Sequence, residues 1–198
     1  MEINNQLAED SLPIILQQIA AGDEVAFRQV FAFFYKRLYH FAFVIVKTKE
    51  SAEEIVEDVF IRIWQHRANL ANIQNLKVYL YTATKNTALN YLSKKARENI
   101  TEPFDHINIE LIQPAISPEQ IMITGEMYKK IQEAVDALPP RCKMIFKLIR
   151  EDGLKYKEVS EILNISVNTI DVQMAIAVKR IALALETDMH FKRHSTFK

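Results

Sequence analysis

Apolar residues recur through most of this chain at the spacing expected of helices. Between residues 25 and 46 they stand three and four positions apart, which puts them on one face of a 3.6-residue helix. The same spacing predicts a second helix that opens with the five acids of residues 50–58. A third helix is predicted from about Leu76 to Arg97, with an inward side made of Val78, Leu89, Leu92 and Ala96.

The second half of the chain repeats this helical pattern after an interruption. Residues 100–119 lack a steady period and hold three prolines, which block helix interiors. The predicted fold is therefore all-α: two small helical domains joined by a linker, with a helix-turn-helix in the second domain. The helices of that domain are predicted over about Met122 to Leu138, Pro140 to Arg150, Lys155 to Leu163, and Val167 to Leu185.

The predicted domain boundaries follow from these patterns. They comprise an N-terminal extension at 1–20, a first helical domain at 21–99, a linker at 100–119, a second helical domain at 120–186 and a basic tail at 187–198.

Residues 155–181 have the layout of a helix-turn-helix. Asn164 tolerates the left-handed backbone that the turn needs, and Ser166 can accept a backbone N–H bond as the N-cap of the second helix. Helical hairpins of this size also serve as plain packing units, but the second helix of such a motif fits the major groove of B-DNA. The predicted inward side of that helix is Ile170, Met174, Ala177, Val178 and Ile181.

Composition and charge narrow the function classes. Three glycines are too few for a many-stranded β fold or a glycine-rich nucleotide loop. The 25 basic and 25 acidic residues cancel, so the net charge does not indicate a class of binding partner. The distribution of charge is more informative, because residues 59–97 hold seven basic residues and no acid, and residues 98–126 hold six acids and no basic residue. This asymmetry favours a nucleic-acid-binding surface beside a surface of another kind.

Cysteine usage and the chain start predict a cytoplasmic protein. Cys142 is the single cysteine, so it cannot form a disulfide within the chain. The N-terminus lacks the basic start of a secretory signal. The sequence contains no run of 18 apolar residues, so we expect no stable membrane insertion. His190 and His194 stand four residues apart without a third ligand, so no metal site is predicted. No pattern indicates a catalytic residue, a cofactor or a small-molecule substrate, and we expect no enzyme activity.

Three segments stand in the order found in extracytoplasmic-function (ECF) sigma factors of the sigma-70 family, and residues 21–185 resemble that family. The segments are AEEIVEDVFIRIWQHR from residue 52, VYLYTATKNTALNYLSKKAR from residue 78, and LPPRCKMIFKL ahead of GLKYKEVSEILNISVNTIDVQMAIAVKRI. The resemblance implies a bacterial transcription initiation factor that binds core RNA polymerase, directs it to specific promoters and helps to open the DNA. It also implies regulation by an anti-sigma factor.

The resemblance implies a binding site for core polymerase on the second helix. Arginine and aromatic side chains dominate interface hot spots, which favours Phe60, Arg62 and Trp64 together with Asp58 for the partner-facing role. Ile55 and Val59 also suit a buried face, so both functions of this helix stay open. The residues that match the docking motif are Glu54, Ile55, Asp58, Val59, Phe60, Arg62 and Trp64.

The third helix resembles the part of the family that reads the downstream promoter element. Its polar stripe carries no acid: cations would neutralise phosphates, amides would bond base edges, and a tyrosine would stack on an unpaired base. A solvated face is the alternative, although such faces usually mix both signs. The predicted contacts are Tyr79, Lys85, Asn86, Thr87, Asn90, Lys94 and Arg97, of which Lys85 falls on the apolar side of the helical wheel.

The helix-turn-helix resembles the reader of the upstream element but departs from the family pattern, because residues 158–178 contain no basic residue. Amides would pair with adenine, Asp171 would accept from cytosine, and Val172 or Ile176 would touch a thymine methyl. We expect weak upstream binding, with the basic stretch of the first domain carrying most of the electrostatic affinity. The predicted contacts are Lys155, Asn168, Thr169, Asp171, Val172, Gln173, Ile176, Lys179 and Arg180.

The residues leave three alternative functions open. The apolar groove-facing residues Val172, Ala175 and Ile176 would also suit docking on a regulatory protein. A stand-alone helix-turn-helix regulator would bind duplex DNA unaided, but it does not need the motif at residues 52–67. A helical adaptor that binds only protein would not need the acid-free run at residues 59–97.

Overall fold

The computed structural model describes residues 12–98 and 122–195 of the 198-residue chain. The chain divides into two compact units, residues 1–107 and 108–198. All regular secondary structure in the two described ranges is helical, which confirms the predicted all-α fold.

The first unit has a helical core built around a long central helix. This central helix, α2 (Glu24–Val46), packs against α3 (Lys49–Gln65) and α4 (Leu76–Glu98), which also pack against each other. Leu38, Val56 and Leu80, one from each of these helices, are fully buried. The three helices confirm those predicted from the apolar spacing. The first unit also contains α1 (Leu12–Ala20) and a 3₁₀ helix (Arg67–Asn72).

Helix α1 lies within residues 1–20, for which the sequence pattern predicted only an extension. It packs against the 3₁₀ helix and against α2, and Ile15, Leu16 and Ile19 are buried. Its nine residues span little more than two turns, so too few apolar repeats are present for the period to stand out. The first unit therefore contains a helix that the periodicity did not reveal.

The inward side of α4 differs from the prediction. Val78 is buried as expected, but Leu89 and Ala96 are exposed. The buried surface is instead centred on Thr84, whose hydroxyl donates to the carbonyl oxygen of Leu80 at 2.9 Å. Because α4 packs on both α2 and α3, its buried surface is wide and includes the polar residue Thr84. The spacing of apolar residues alone does not indicate such a position.

The second unit has its own core, and its four helices confirm those predicted. Val135, Leu138, Cys142 and Ala177 form a buried cluster against which Ile181 packs. The last helix continues beyond the predicted end near residue 185. The bounds are α5 Met122–Asp136, α6 Pro140–Arg150, α7 Tyr156–Leu163 and α8 Val167–Ser195.

The turn between α7 and α8 has the predicted chemistry. Asn164 is left-handed at φ 53°, and the N–H of Ile165 bonds back to the carbonyl oxygen of Ser160 at 3.2 Å, which closes α7. Ser166 Oγ accepts the N–H of Thr169 at 3.0 Å and so caps α8. Both predicted residues, Asn164 and Ser166, are confirmed in these backbone roles.

Some predictions fall outside the described residues. They include the linker at 100–119 and the side chains of His190 and His194 in the tail. Within the described ranges, no helix has the length and apolar character needed to cross a membrane.

Candidate functional site

The outward side of α3 forms the first candidate surface. Glu54, Asp58 and Arg62, all predicted contact residues, are exposed there. Arg62 Nη2 lies 3.8 Å from Asp58 Oδ2, one turn away. An exposed pair of this kind contributes little to folding stability. Both charges can therefore be used in a contact with another molecule.

Three predicted contact residues on α3 lie in the core instead. Phe60 is 2 % exposed, and its ring centroid lies 4.8 Å from that of Phe31 and 6.1 Å from that of Phe27. Ile55 and Val59 are also buried. The expectation that Phe60 faces a partner is corrected by this packing, because α2 covers the ring. The bulk that makes an aromatic residue a hot-spot candidate makes it equally suitable for a core.

Trp64 sits at the edge of this aromatic cluster and is partly exposed. Its ring centroid lies 5.0 Å from that of Phe27, and the Arg67 guanidinium lies over the Trp64 ring, 4.7 Å from its centroid. Arg67 Nη1 also donates to the carbonyl oxygen of Trp64 at 3.0 Å. These contacts hold the end of α3 against α2, and the Trp64 side chain stays partly exposed.

The structure adds two residues to the α3 surface that sequence reasoning missed. Ile61 is 53 % exposed and Gln65 is exposed one turn further on. At 100° per residue, Ile61 and Gln65 lie on the same side as Glu54 and Asp58. The sequence indicates this exposure of Ile61, because its position does not follow the spacing of the buried residues Ile55, Val59 and Ile63. We call the set Glu54, Asp58, Ile61, Arg62 and Gln65 the α3 face.

The second candidate surface runs along α4. Tyr79, Asn86, Asn90 and Arg97 are exposed and fall within about 40° of one another around the helix axis. Lys94 is exposed beside them, and no acid occurs in α4 before Glu98. We call these five residues the α4 stripe. The arrangement offers one ring, two amides and two cations along more than four helical turns.

Contacts with α3 and a helix cap set the position of α4. Ser51 Oγ donates to the Tyr91 hydroxyl at 2.7 Å and links the start of α3 to the far half of α4. Asn75 Oδ1 accepts the N–H of Val78 at 3.1 Å and begins the helix. Two of the predicted contacts are partly buried and lie outside the stripe: Thr87 is about 80° from Tyr79 around the axis, and Lys85 is about 120° away on the opposite side, near Val78.

The third candidate surface is the start of α8. Asn168, Val172, Ala175, Ile176 and Lys179 are exposed, as the helical wheel predicted. Three of these five residues are apolar, so the surface offers few polar groups. Val178, predicted to face inward, is also exposed.

The remaining predicted contacts of the second unit are spread over several sides. Lys155 is exposed at the start of α7, where its N–H donates to Glu158 Oε2 at 2.7 Å. Asp171 is exposed, while Thr169 and Gln173 are only half exposed. Arg180 is exposed and lies about 100° around the helix axis from Lys179. The structure therefore groups only part of the predicted set on one face.

Cys142 has a structural role in this unit. Its Sγ lies 3.2 Å from the carbonyl oxygen of Gln173, which ties α6 to α8. Burial raises the pKa of the thiol, against the smaller opposite effect of Arg180. Among the described residues, no group of three or more histidine, cysteine, aspartate or glutamate side chains is placed to hold a metal ion.

Family models match both units. Residues 31–98 match sigma-70 region 2, which includes α3 and α4. Residues 128–181 match sigma-70 region 4, which includes the helix-turn-helix. The two matches occur in the order in which the sequence segments were recognised.

Two curated relatives match this chain over most of their length. The chain is 22% identical over 163 residues to the ECF RNA polymerase sigma-E factor of Escherichia coli strain K12, covering 79% of this chain and 85% of the relative. It is 22% identical over 166 residues to the ECF RNA polymerase sigma factor SigW of Bacillus subtilis, covering 80% and 88%.

Solved structures share the fold. The sigma factor RpoE of Bartonella quintana, solved with the anti-sigma factor NepR, aligns at a TM-score of 0.61 and 22% identity, covering 82% of this chain and 98% of RpoE. CnrH, solved with the cytosolic domain of CnrY, aligns at a TM-score of 0.55 and 16% identity, covering 90% and 99%. With regions 2 and 4 in order and relatives matched over most of their length, the chain belongs to the extracytoplasmic-function group of the sigma-70 family of transcription initiation factors.

Proposed function

We propose that this chain is the promoter-specificity subunit of a bacterial RNA polymerase, which binds the core enzyme, directs it to a class of promoters and helps to open the DNA. The observation that carries the proposal is that one compact unit exposes both the α3 face and the acid-free α4 stripe. A helix-turn-helix in the other unit supplies a second DNA-binding element. Surfaces for protein and nucleic acid in one unit suit a subunit that acts within a larger complex.

The α3 face is the proposed contact with core polymerase. Ile61 is an exposed apolar centre, and Glu54, Asp58, Arg62 and Gln65 surround it with polar groups. Protein interfaces commonly combine an apolar centre with a polar rim in this way. Trp64 would contribute its partly exposed side chain, whereas the buried Phe60 supports α3 through its packing against α2.

The α4 stripe is the proposed contact with the downstream promoter element after its strands separate. Tyr79 would stack on an unpaired base, the amides of Asn86 and Asn90 would bond base edges, and Lys94 and Arg97 would neutralise phosphates. The absence of acids from residues 59–97 supports this assignment, because a carboxylate beside the strand would repel it.

The exposed start of α8 is the proposed contact with upstream duplex DNA. We further propose that the chain works in the cytoplasm without catalytic activity of its own, because its role is to position core polymerase on promoter DNA. An anti-sigma factor belongs to the proposal as a partner, since the RpoE structure of the same fold contains one.

Reconstitution with purified bacterial core RNA polymerase tests the proposal. Wild-type chain should co-purify with core and yield transcripts from promoters selected from a random-sequence library. An Ile61→Ala and Gln65→Ala double variant should bind core at least tenfold more weakly, because it removes the apolar centre of the α3 face and one polar neighbour. Core affinity is measured by fluorescence anisotropy of the labelled chain.

A matched control separates binding from folding. Ile14 on α1 is 60 % exposed, so Ile14→Ala removes a comparable apolar surface from the same unit and should leave core affinity unchanged. If wild-type chain ignores core polymerase yet shifts duplex DNA unaided, a stand-alone regulator replaces the proposal. If it binds core but yields no transcript from any template, the initiation role is wrong.

A further inference from the structure

The first three turns of α8 expose apolar side chains where a DNA-reading helix would carry cations. Val172 is 49 % exposed and Ile176 is 37 % exposed, one turn apart on the same side. Asn168 precedes Val172 by one turn and is also exposed. Residues 158–178 hold no lysine or arginine, so no bidentate cation contact to guanine is available from this stretch.

The chemistry of base-pair edges limits what these side chains can read. In the major groove of unmodified DNA, the apolar group on a base edge is the C5 methyl of thymine. Asn168 adds an amide of the type that pairs with adenine N6 and N7. An adenine and its partner thymine present both features on a single base pair, so these residues suit A·T pairs.

Cations stand before and after this apolar segment. Lys155 and Lys157 are exposed at the start of α7, and Lys179 is exposed two turns beyond Val172. Cations at both ends would hold phosphates, while the segment between them faces the bases. This charge arrangement favours an anionic partner, and duplex DNA supplies phosphates on both sides of the groove that receives the helix.

We propose that Val172 and Ile176 are specificity-determining residues that recognise thymine methyl groups in the upstream promoter element. The inference rests on the proposed function, because it requires the helix-turn-helix to contact duplex DNA. The two side chains are about 6 Å apart along the helix, so they reach different base pairs, which are spaced about 3.4 Å apart. The upstream element is then A·T-containing and is read by methyl contacts.

Deoxyuridine provides the direct test because it lacks only the C5 methyl of thymidine. Holoenzyme made from full-length chain and core polymerase is first used to select active promoters from linear duplexes of random sequence. Thymidines of the selected upstream element are then replaced with deoxyuridine. Open-complex formation should weaken by about fourfold for each contacted methyl that is removed.

Protein variants assign the effect to named residues. Val172→Ala and Ile176→Ala holoenzymes should each lose the sensitivity to deoxyuridine at one position while keeping it at the other. Val178→Ala is the matched control: Val178 is 51 % exposed on the same helix but lies about 120° around the axis from Val172. Its holoenzyme should keep the full deoxyuridine effect at both positions.

The outcomes separate this inference from the proposed function. Transcripts without any deoxyuridine effect, or an effect that neither Val172→Ala nor Ile176→Ala removes, overturn the methyl contacts and leave the initiation role standing. If those two variants weaken core binding instead, the face docks on protein and the inference is wrong. Absence of transcripts from every template with wild-type chain overturns both proposals.

Discussion

Phe60 and Ile61 are neighbours in the chain but have opposite environments. A helix turns by about 100° per residue, so Phe60 points into the aromatic cluster under α2 while Ile61 points to solvent. Truncating a buried phenylalanine costs about 3–5 kcal/mol of folding stability. A variant at Phe60 therefore reports on the fold, and a variant at Ile61 reports on binding.

Two tyrosines on α2 carry an electrostatic signature of the neighbouring acidic helix. Burial raises the pKa of Tyr35 and of Tyr39 above the ordinary value of 10.0, and the charge of Glu53 raises both further. The folded chain thus holds these phenolic protons more tightly than the unfolded chain does. Their contribution to stability is complete below about pH 10 and is lost as the pH rises through the folded-state values.

Replacing Glu53 should make these tyrosines ionise earlier. In Glu53→Gln the pKa values of Tyr35 and Tyr39 should fall, so tyrosinate absorbance near 295 nm should appear at lower pH than in wild type. Glu54→Gln is the control, because Glu54 is not a source of either shift. Identical alkaline titrations of wild type and Glu53→Gln would contradict the assignment.

At the scale of elements, caps define where the helices of the second unit begin and end. Glu158 accepts the N–H of Lys155, the N-cap residue of α7; Asn164 ends α7 in the left-handed region, and Ser166 caps the start of α8. Each cap uses a local contact that depends on residue type and short spacing. This is why the turn of the helix-turn-helix was predictable from the sequence.

Removing the side-chain cap of α8 should destabilise the second unit. Ser166→Ala should cost about 1 kcal/mol, measured by chemical denaturation, because the N–H of Thr169 loses its acceptor. Ser166→Asp should retain most of the stability, since a carboxylate also caps and suits the helix dipole. An equal loss in both variants would show that the hydroxyl acts through another contact.

At the scale of the whole molecule, a net charge of zero conceals an uneven distribution. The basic residues that face outward near the proposed DNA contacts are concentrated on α4, whereas the start of α8 is largely apolar. Phosphate contacts determine how steeply affinity falls with salt. The first unit should therefore dominate the salt dependence of promoter binding.

Charge-neutral variants can measure this division of labour. Lys94→Gln with Arg97→Gln should reduce the salt slope of holoenzyme binding by about 1.4, at about 0.7 for each single-strand phosphate contact. Lys179→Gln with Arg180→Gln should reduce it less, because these two side chains point about 100° apart around α8. Lys36→Gln on the exposed side of α2 is the control. A larger effect of the α8 pair would place the electrostatic contact in the second unit.

The sequence by itself determined the helical class, seven of the helices, the chemistry of the turn and the family. These features depend on local spacing and short-range hydrogen bonds, which the order of residues specifies directly. The sequence also shows directly that the stretch containing the α4 stripe has no acidic residue, because this depends only on residue identity.

Only the tertiary structure decided which side of each helix was covered. Helix α2 buries Phe60, the 3₁₀ helix and α2 bury one side of α1, and the combined contact of α2 and α3 buries Thr84 while leaving Leu89 outside. Burial depends on which elements meet across distant parts of the chain. A regular spacing of apolar residues predicts that a helix forms, but the elements that pack against the helix decide which of its sides is exposed.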